Sequence, residues 1–318
     1  MRVLVTGATG FVGGNLVTAL LEAGHKVIAV SRNPETFDGP DSVAVVEGDL
    51  LDPELSLPEA DAAYYLVHSM DSSGDFESRD RLAARTFVRA ADEAGIGRVI
   101  YLGGLGSEDD TLSDHLRSRR EVEKILGTGE FELTALRAAI IIGDGSVSFQ
   151  IIRQLSLRLP VMITPQWVRT NCQPIYIDDV IAYLVGVLEV PETAGKTFEI
   201  GGPEVLTYEK ILTRTAEVMP GRRPRIIPVP ILSPRLSAYW LGLVTSVPLS
   251  VAKPLVHGLK TPVVVTDDSI KQFVEVDLTP FEEAVRLALG EIDEAAATAE
   301  SNEAATADGQ REPRTEPR

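Results

Sequence analysis

The residues most able to do chemistry lie near the amino terminus, where the apolar run Val3–Val5 leads into the segment Thr6-Gly7-Ala8-Thr9-Gly10-Phe11-Val12-Gly13. Gly7 permits a tight turn, Gly10 lets the backbone approach a pyrophosphate, and Gly13 lets a helix pack on the strand. The helix that follows would present free N–H groups and a partial positive charge to phosphates. The pattern predicts a dinucleotide-binding loop; the alternative is a tight strand-to-helix turn without a ligand.

The end of the second predicted strand bears on the choice of dinucleotide. An acidic residue at this place would accept hydrogen bonds from the ribose diol of NAD, but the sequence is Ser31-Arg32-Asn33. The planar, charged guanidinium of Arg32 suits a ribose 2′-phosphate. This substitution favours NADP(H) over NAD(H); the alternative is an exposed surface arginine.

Two further segments are predicted to reach the same ligand. The turn Gly48-Asp49-Leu50 places a carboxylate where the adenine amino group is expected, although a plain loop aspartate is the alternative. His68 follows the fourth strand at its carboxyl end, on the nicotinamide side of the expected cleft. The predicted cofactor-binding residues are Gly7, Thr9, Gly10, Phe11, Val12, Gly13, Ser31, Arg32, Asp49, Leu50, Val67 and His68.

The elements that must position these residues follow from periodicity. Short β-branched runs alternate with segments of helical period through the first 145 residues, which is typical of βαβ units. We predict strands at 2–6, 26–31, 43–47, 62–67, 98–102, 132–142 and 197–200, and helices at 15–23, 79–94 and 179–189. Gly24 and Gly95 lie where helix C-caps belong. The fold class is therefore α/β, a Rossmann-type doubly wound parallel sheet of about seven strands with a smaller C-terminal lobe.

The predicted domain organisation has three parts. Residues 1–202 form the NAD(P)-binding domain, 203–290 a smaller and mostly helical substrate or partner lobe with helices at 207–218 and 236–243, and 291–318 an acidic tail. The tail has almost nothing to bury, which predicts disorder. Residues 236–259 are apolar but interrupted by prolines. This segment packs the lobe onto the sheet, lines an apolar substrate site, or docks on a membrane complex.

Composition excludes several classes of protein. Asp and Glu number 47 against 30 Lys and Arg, for a net charge of −17, which disfavours nucleic-acid binding. The basic cluster at 117–120 lies among glutamates and is interpreted as a solvated helix face. Cys172 has no second cysteine to pair with and is expected to be buried. No metal site is predicted because the histidines are scattered, and Asp178-Asp179 suit the first turn of a helix.

The sequence also bears on location. Residue 2 already belongs to a strand, so no signal peptide is indicated. No run of about 18 apolar residues could span a membrane. We predict a cytoplasmic protein, either free or peripheral to the inner face of the membrane.

The motifs above resemble a known superfamily. Together with Tyr64–Met70, Tyr101–Gly106, Pro174–Val180 and Phe198–Pro203, the glycine loop is similar to the short-chain dehydrogenase/reductase superfamily in its extended or atypical branch. Together these segments resemble NmrA-like atypical reductases and the NADPH-binding accessory subunit of respiratory complex I. The resemblance covers roughly residues 1 to 285 and is specific in the cofactor half alone.

The chain departs from the superfamily where catalysis is expected. Active members carry a serine after the fifth strand, and a tyrosine followed four residues later by a lysine that lowers the phenol's pKa. Here Gly103-Gly104 replaces the serine, His115 the tyrosine and Arg119 the lysine. Arginine can hold ribose hydroxyls and supply a positive field, and histidine can exchange protons near neutrality. His115, Arg119 and His68 are the candidate catalytic residues, or else polar residues without a catalytic role.

Two functions remain open from the sequence. The first is an NADP(H)-dependent oxidoreductase that acts on an apolar carbonyl or quinone-like compound. The second is a noncatalytic NADPH-binding accessory subunit or redox sensor of a larger, membrane-associated complex of the respiratory type. The missing serine, tyrosine and lysine favour the second, whereas a cleft with His68 and His115, and the abundance of enzymes in the superfamily, favour the first.

Overall fold

The computed structural model describes residues 1–68, 76–106, 113–158, 161–219, 225–229 and 259–290. The strands are β1 (Arg2–Thr6), β2 (Lys26–Ser31), β3 (Ala44–Glu47), β4 (Ala62–Tyr65), β5 (Arg98–Gly104), β6 (Glu132–Ala138), β7 (Ile141–Ile142), β8 (Val161–Pro165), β9 (Asn171–Cys172), β10 (Ile175–Tyr176), β11 (Thr197–Ile200), β12 (Leu206–Thr207) and β13 (Arg225–Val229). The helices are α1 (Phe11–Glu22), α2 (Phe76–Glu93), α3 (Asp114–Leu126), α4 (Val147–Arg158), α5 (Ile177–Glu189), α6 (Tyr208–Val218) and α7 (281–290).

A seven-stranded parallel sheet forms the centre of the molecule, in the order β11-β6-β5-β4-β1-β2-β3. The predicted doubly wound fold is confirmed. Central strand β1 pairs with β2 on one side and β4 on the other, and Val3, Leu4 and Val5 are fully buried. Strands covered on both faces must be apolar throughout rather than alternating. This explains why β1 is so clear in the sequence.

Helices cover both faces of the sheet. On one face α1 packs against α5, and on the other α2 packs against α3. Gly24 and Gly95 have φ angles of 81° and 67° and lie two residues after the last residues of α1 and α2, so each is the left-handed glycine that terminates the helix just past its C-cap. Asp178 and Asp179 lie in the first turn of α5, as predicted. Cys172 is buried, also as predicted.

One predicted strand is wrong in extent. Residues 132–142 were expected to form a single strand, but β6 ends at Ala138, and β7 pairs with β10 instead of continuing the sheet. Between them the Ile140 carbonyl accepts from the Ile175 N–H at 2.9 Å. The chain leaves the sheet here although no glycine or proline marks the break.

The smaller lobe combines separate parts of the chain. Helices α4 and α6 pack together, and β8 pairs in parallel with β13. Both α4 and β8 precede residue 202, so this lobe draws on chain from both sides of that position. Helix α7 packs into the same apolar core as α1 and α5. The predicted helix at 236–243 and the predicted tail at 291–318 lie outside the described residues, and no described helix is long and apolar enough to cross a bilayer.

Candidate functional site

The glycine loop has the geometry that its sequence predicts. Gly7 adopts a φ of 75°, and its carbonyl accepts from the Gly10 N–H at 3.0 Å. A Cβ at Gly13 would lie 2.1 Å from the Gly7 oxygen, so α1 can approach β1 this closely only with glycine there. Helix α1 begins at Phe11 with Gly10 as its N-cap, which supplies no side-chain cap to the first-turn N–H groups. The loop and these donors fit a diphosphate.

The strand ends beside the loop are held by short hydrogen bonds. The Ser31 hydroxyl oxygen accepts from the Asn33 N–H at 3.2 Å, and the Ser31 carbonyl accepts from the Gly48 N–H at 3.0 Å. The Asp49 carboxylate accepts from the Leu51 N–H at 3.0 Å. Arg32 is exposed, lines the same cleft and has no hydrogen bond or ion pair to any described residue. It is therefore available to a ligand.

The end of β4 is tied to the loop by Thr6. Its hydroxyl donates to the Tyr64 carbonyl at 3.0 Å and accepts from the Leu66 N–H at 3.4 Å. These bonds fix the chain that continues into Val67 and His68, both of which line the cleft. All twelve predicted cofactor-binding residues border this one cleft, whose volume is about 1040 Å³.

His115 and Arg119 lie one turn apart on α3 and line the cleft together with His68. Burial, and then the positive charge of Arg119, lowers the pKa of His115 to about 3. The pKa of His68 is lowered well below its usual value, mainly by the positive charge of Arg119. Burial and the neighbouring His115 lower it further. Both imidazoles are neutral at neutral pH, so the expectation of a histidine that exchanges protons near neutrality is not met by His115 in the free protein.

The place of the superfamily serine is filled. A Cβ at Gly103 would lie 2.8 Å from the Tyr101 ring, and one at Gly104 would lie 2.7 Å from Leu116. Tyr101 is fully buried, and its hydroxyl donates to the Arg119 carbonyl at 3.0 Å. Burial raises the pKa of this phenol. A side chain at Gly103 would require the Tyr101 ring to move, whereas one at Gly104 would require a shift of the Leu116 side chain.

The other half of the cleft is an apolar wall. It is formed by apolar side chains of α4 and α6, of the residue after β5, of the link between β6 and β7, and of residues 259–263. These are Leu105, Ile140, Ile151, Ile152, Leu155, Ile211, Leu212, Leu259 and Val263. The Ser156 hydroxyl donates to the Leu212 carbonyl at 3.0 Å and joins α4 to α6. The sequence analysis did not single out this wall. It gave an apolar substrate site as one of three alternatives for residues 236–259, of which the structure describes Leu259. The spacing of Ile151, Ile152 and Leu155 on one helical face was the available signal.

Comparison with known proteins identifies the dinucleotide half of the cleft. Residues 7–157 match a family model described as NAD(P)H-binding. Residues 7–157 are an NAD(P)H-binding domain. The resemblance to NmrA-like proteins of the extended short-chain dehydrogenase/reductase type is confirmed.

Relatives of this chain carry different names. The chain is 27% identical over 303 residues to NADH dehydrogenase (ubiquinone) 1 alpha subcomplex subunit 9, mitochondrial, of Arabidopsis thaliana, with 87% of this chain and 73% of the relative covered. It is 29% identical over 276 residues to a ceramide reductase of Caulobacter vibrioides, with 82% and 86% covered. The crystal structure of Citrobacter sp. triphenylmethane reductase complexed with NADP(H) shares the fold, with a TM-score of 0.72, 19% identity, and 91% of this chain and 100% of that chain covered.

Residues that the sequence did not single out also border the NAD(P)H-binding cleft. Arg79, in the first turns of α2, is exposed and has no partner among the described residues. Ala83 lies one turn further along the same helix and also lines the cleft. Among the described residues, no group of three or more His, Cys, Asp or Glu side chains could hold a metal ion.

Proposed function

We propose that this protein is an NADP(H)-dependent oxidoreductase that acts on an apolar carbonyl or quinone-like compound. The observation that supports it is the continuity of one cleft, which joins the glycine loop to the apolar wall of α4 and α6. A pocket that is apolar for most of its length, with a few polar groups at one place, is typical of a small-molecule site. The ceramide reductase relative, whose name states an apolar substrate, is consistent with this proposal.

The preference for NADP(H) over NAD(H) rests on Arg32. Its side chain is exposed at the end of β2, makes no ion pair to a described residue, and borders the cleft. A guanidinium in this position can form charge-assisted hydrogen bonds with a 2′-phosphate, while Ser31-Arg32-Asn33 at the end of β2 offers no carboxylate to the NAD ribose diol. The proposed cofactor is therefore NADP(H).

The residues at the other end can assist reduction without the usual serine and tyrosine. When bound, the reduced dinucleotide would supply a hydride. Arg119 would place positive charge near the substrate oxygen, where negative charge develops. Neutral His115 and His68 can each donate one N–H hydrogen bond, but neither carries an extra proton at neutral pH. The proton of a ketone reduction must then reach the oxygen from water.

The accessory or sensor function is the second candidate. The pair Gly103-Gly104 favours it, because no hydroxyl donor stands at the place of the superfamily serine. The mitochondrial relative is named as a subunit of an NADH dehydrogenase, which points to assembly with other chains. On this alternative the protein would bind NADPH without oxidising it and would lie at a membrane-associated complex, peripheral to the inner face of the membrane.

A turnover assay separates the two functions. NADPH is mixed with the protein and long-chain aldehydes, ketones or quinones, and loss of the reduced nicotinamide absorbance is followed. We expect oxidation by the wild type, and a turnover number lower by about tenfold or more in His115→Ala, because a positioned hydrogen-bond donor is lost. Arg117→Ala is the control, since Arg117 lies on the same helix but pairs with Glu77 at the surface. NADPH that stays unoxidised with every compound would favour the accessory function.

Cofactor choice is tested on Arg32 alone. Binding of NADPH should be at least about tenfold tighter than binding of NADH, and Arg32→Ala should remove most of that difference, about 1–3 kcal/mol. Affinity for NADH should hardly change, because Arg32 makes no hydrogen bond or ion pair within the described chain. Calorimetric titration of both nucleotides into both proteins measures this. Equal affinities in the wild type would contradict the NADP(H) assignment.

A further inference from the structure

The charge of the cleft is opposite to the charge of the molecule. The chain carries a net charge of −17. Among the described residues that line the cleft, Arg32, Arg79 and Arg119 are cationic and Asp49 is the one carboxylate. Such a concentration of positive charge in an acidic protein favours anionic ligands.

The arginines of α2 and α3 differ in whether an acidic side chain pairs with them. Arg81 of α2 pairs with Glu121 of α3 at 3.1 Å, and Arg117 of α3 pairs with Glu77 of α2. Arg117 also pairs with Asp114 of its own helix. Arg79 and Arg119, which line the cleft, have no ion pair to a described residue. The Arg119 side chain shares a hydrogen bond with the Tyr101 hydroxyl, but this neutral phenol does not compensate its charge. No described carboxylate neutralises the arginines that line the cleft, and the same holds for Arg85, an exposed arginine of α2 outside the cleft.

The dinucleotide accounts for only part of this charge. Its diphosphate suits the start of α1, and a 2′-phosphate suits Arg32. Arg119 lies at the other end of the cleft, beside His68 and His115, and its charge helps to hold both imidazoles neutral. No described carboxylate lining this end compensates Arg119.

Arg119 also lies next to the apolar wall. A Cβ at Gly104 would be 3.9 Å from Cγ of Arg119, and Gly104 pairs with Ala138 in the register of β5 and β6. From Ala138 the chain runs along the cleft through Ile141 and on into α4. An anionic group at Arg119 would therefore have the apolar wall beside it.

We propose, resting on the function proposed above, that the second ligand of this cleft is an anionic amphiphile. Its apolar chain lies against α4 and α6, and its anionic group, such as a carboxylate, binds the guanidinium of Arg119. The planar fork of arginine matches a carboxylate with two parallel hydrogen bonds, which a neutral alcohol of the same chain length cannot replace.

The test compares decanoate with decanol, because the two share an apolar chain and differ in charge. Each is titrated calorimetrically into the full-length protein saturated with NADP⁺. We expect decanoate to bind at least about tenfold more tightly than decanol, and Arg119→Gln to bring that ratio close to one. Arg119→Lys should retain part of the ratio. Arg117→Gln, the matched loss of one charge from the same helix, should leave it unchanged.

The ratio stays informative if Arg119→Gln also weakens the nucleotide, because both ligands are measured at nucleotide saturation. A wild-type ratio near one, or a tenfold ratio that persists in Arg119→Gln, would overturn the proposal. Failure of the proposed function has a different signature, which is NADPH that fails to bind or is never oxidised. A decanoate preference that depends on Arg119 supports the anion site whichever result the turnover assay gives.

Discussion

His115 is half-buried on α3, one turn before Arg119, and both circumstances disfavour its charged form. Burial removes water from the imidazolium, and the neighbouring guanidinium repels it. A pKa lowered to about 3 leaves a neutral side chain at neutral pH, whose remaining capacity is one N–H donor and one acceptor. Replacement of a tyrosine by histidine therefore does not by itself create a proton donor.

The same shift predicts how stability depends on pH. The pKa of His115 is near 6.5 when unfolded and lower when folded, so the unfolded state binds more protons between these values. Stability is fully present above about pH 6.5 and falls as the pH is lowered towards the folded pKa. From pH 7.5 to pH 5 the free energy of unfolding of the wild type should fall by about 1 kcal/mol more than that of His115→Gln. This is less than the full pKa difference would give, because solvent reaches part of the side chain.

Urea denaturation of both proteins at the two pH values measures this difference. Carboxylates and His68 titrate in both proteins, so their contributions largely cancel in the comparison. Parallel loss of stability in wild type and His115→Gln would show that His115 does not titrate with a lowered pKa.

At the scale of elements, the sequence predicted best where a single element carries its own signal. Strands β1, β2 and β11 have the predicted bounds, because apolar runs end at glycine or polar residues. Helix α1 begins at Phe11 rather than at the predicted residue 15, since its first turn packs beneath the glycine loop and shows no apolar period. The glycine loop was predicted equally well, because each of its glycines is required by contacts with nearby residues of the loop.

Other features of the site depend on contacts between distant elements. The apolar wall needs α4 and α6, whose contact at Ser156 and Leu212 joins residues 56 positions apart. The filled space beside Gly103 depends on where the Tyr101 ring lies. The isolation of Arg119 becomes visible only once Glu77, Asp114 and Glu121 are seen to pair with other arginines. Apart from the i,i+3 pair of Asp114 and Arg117, none of these pairings has a local pattern in the sequence.

At the scale of the whole molecule, one arginine connects the apolar wall to the core. Arg214 of α6 forms ion pairs with Glu204, which precedes the helix, and with Glu282 of α7. Glu204 also accepts from the Phe281 N–H at 3.1 Å. The neighbouring residues Phe281, Ala284 and Val285 are buried in the core shared with α1 and α5. The position of α6 is therefore coupled to the NAD(P)H-binding domain through this arginine.

Arg214→Leu should loosen α6 more than it loosens the sheet. The substitution leaves Glu204 and Glu282 as close, partly buried like charges without a cation, which opposes the present packing of α6 on α7. We expect amide hydrogens of α6 to exchange about tenfold faster, equivalent to about 1.4 kcal/mol of local stability, while those of β1 and α1 change little.

Because Ile211 and Leu212 belong to the wall, decanol should bind more weakly to Arg214→Leu, and NADPH should bind as before. Lys271→Ala, which removes a single exposed pair with Asp268, is the control and should alter neither measurement. Uniform acceleration of exchange across the sheet and α6 would show instead that Arg214 supports the whole fold rather than the placement of the wall.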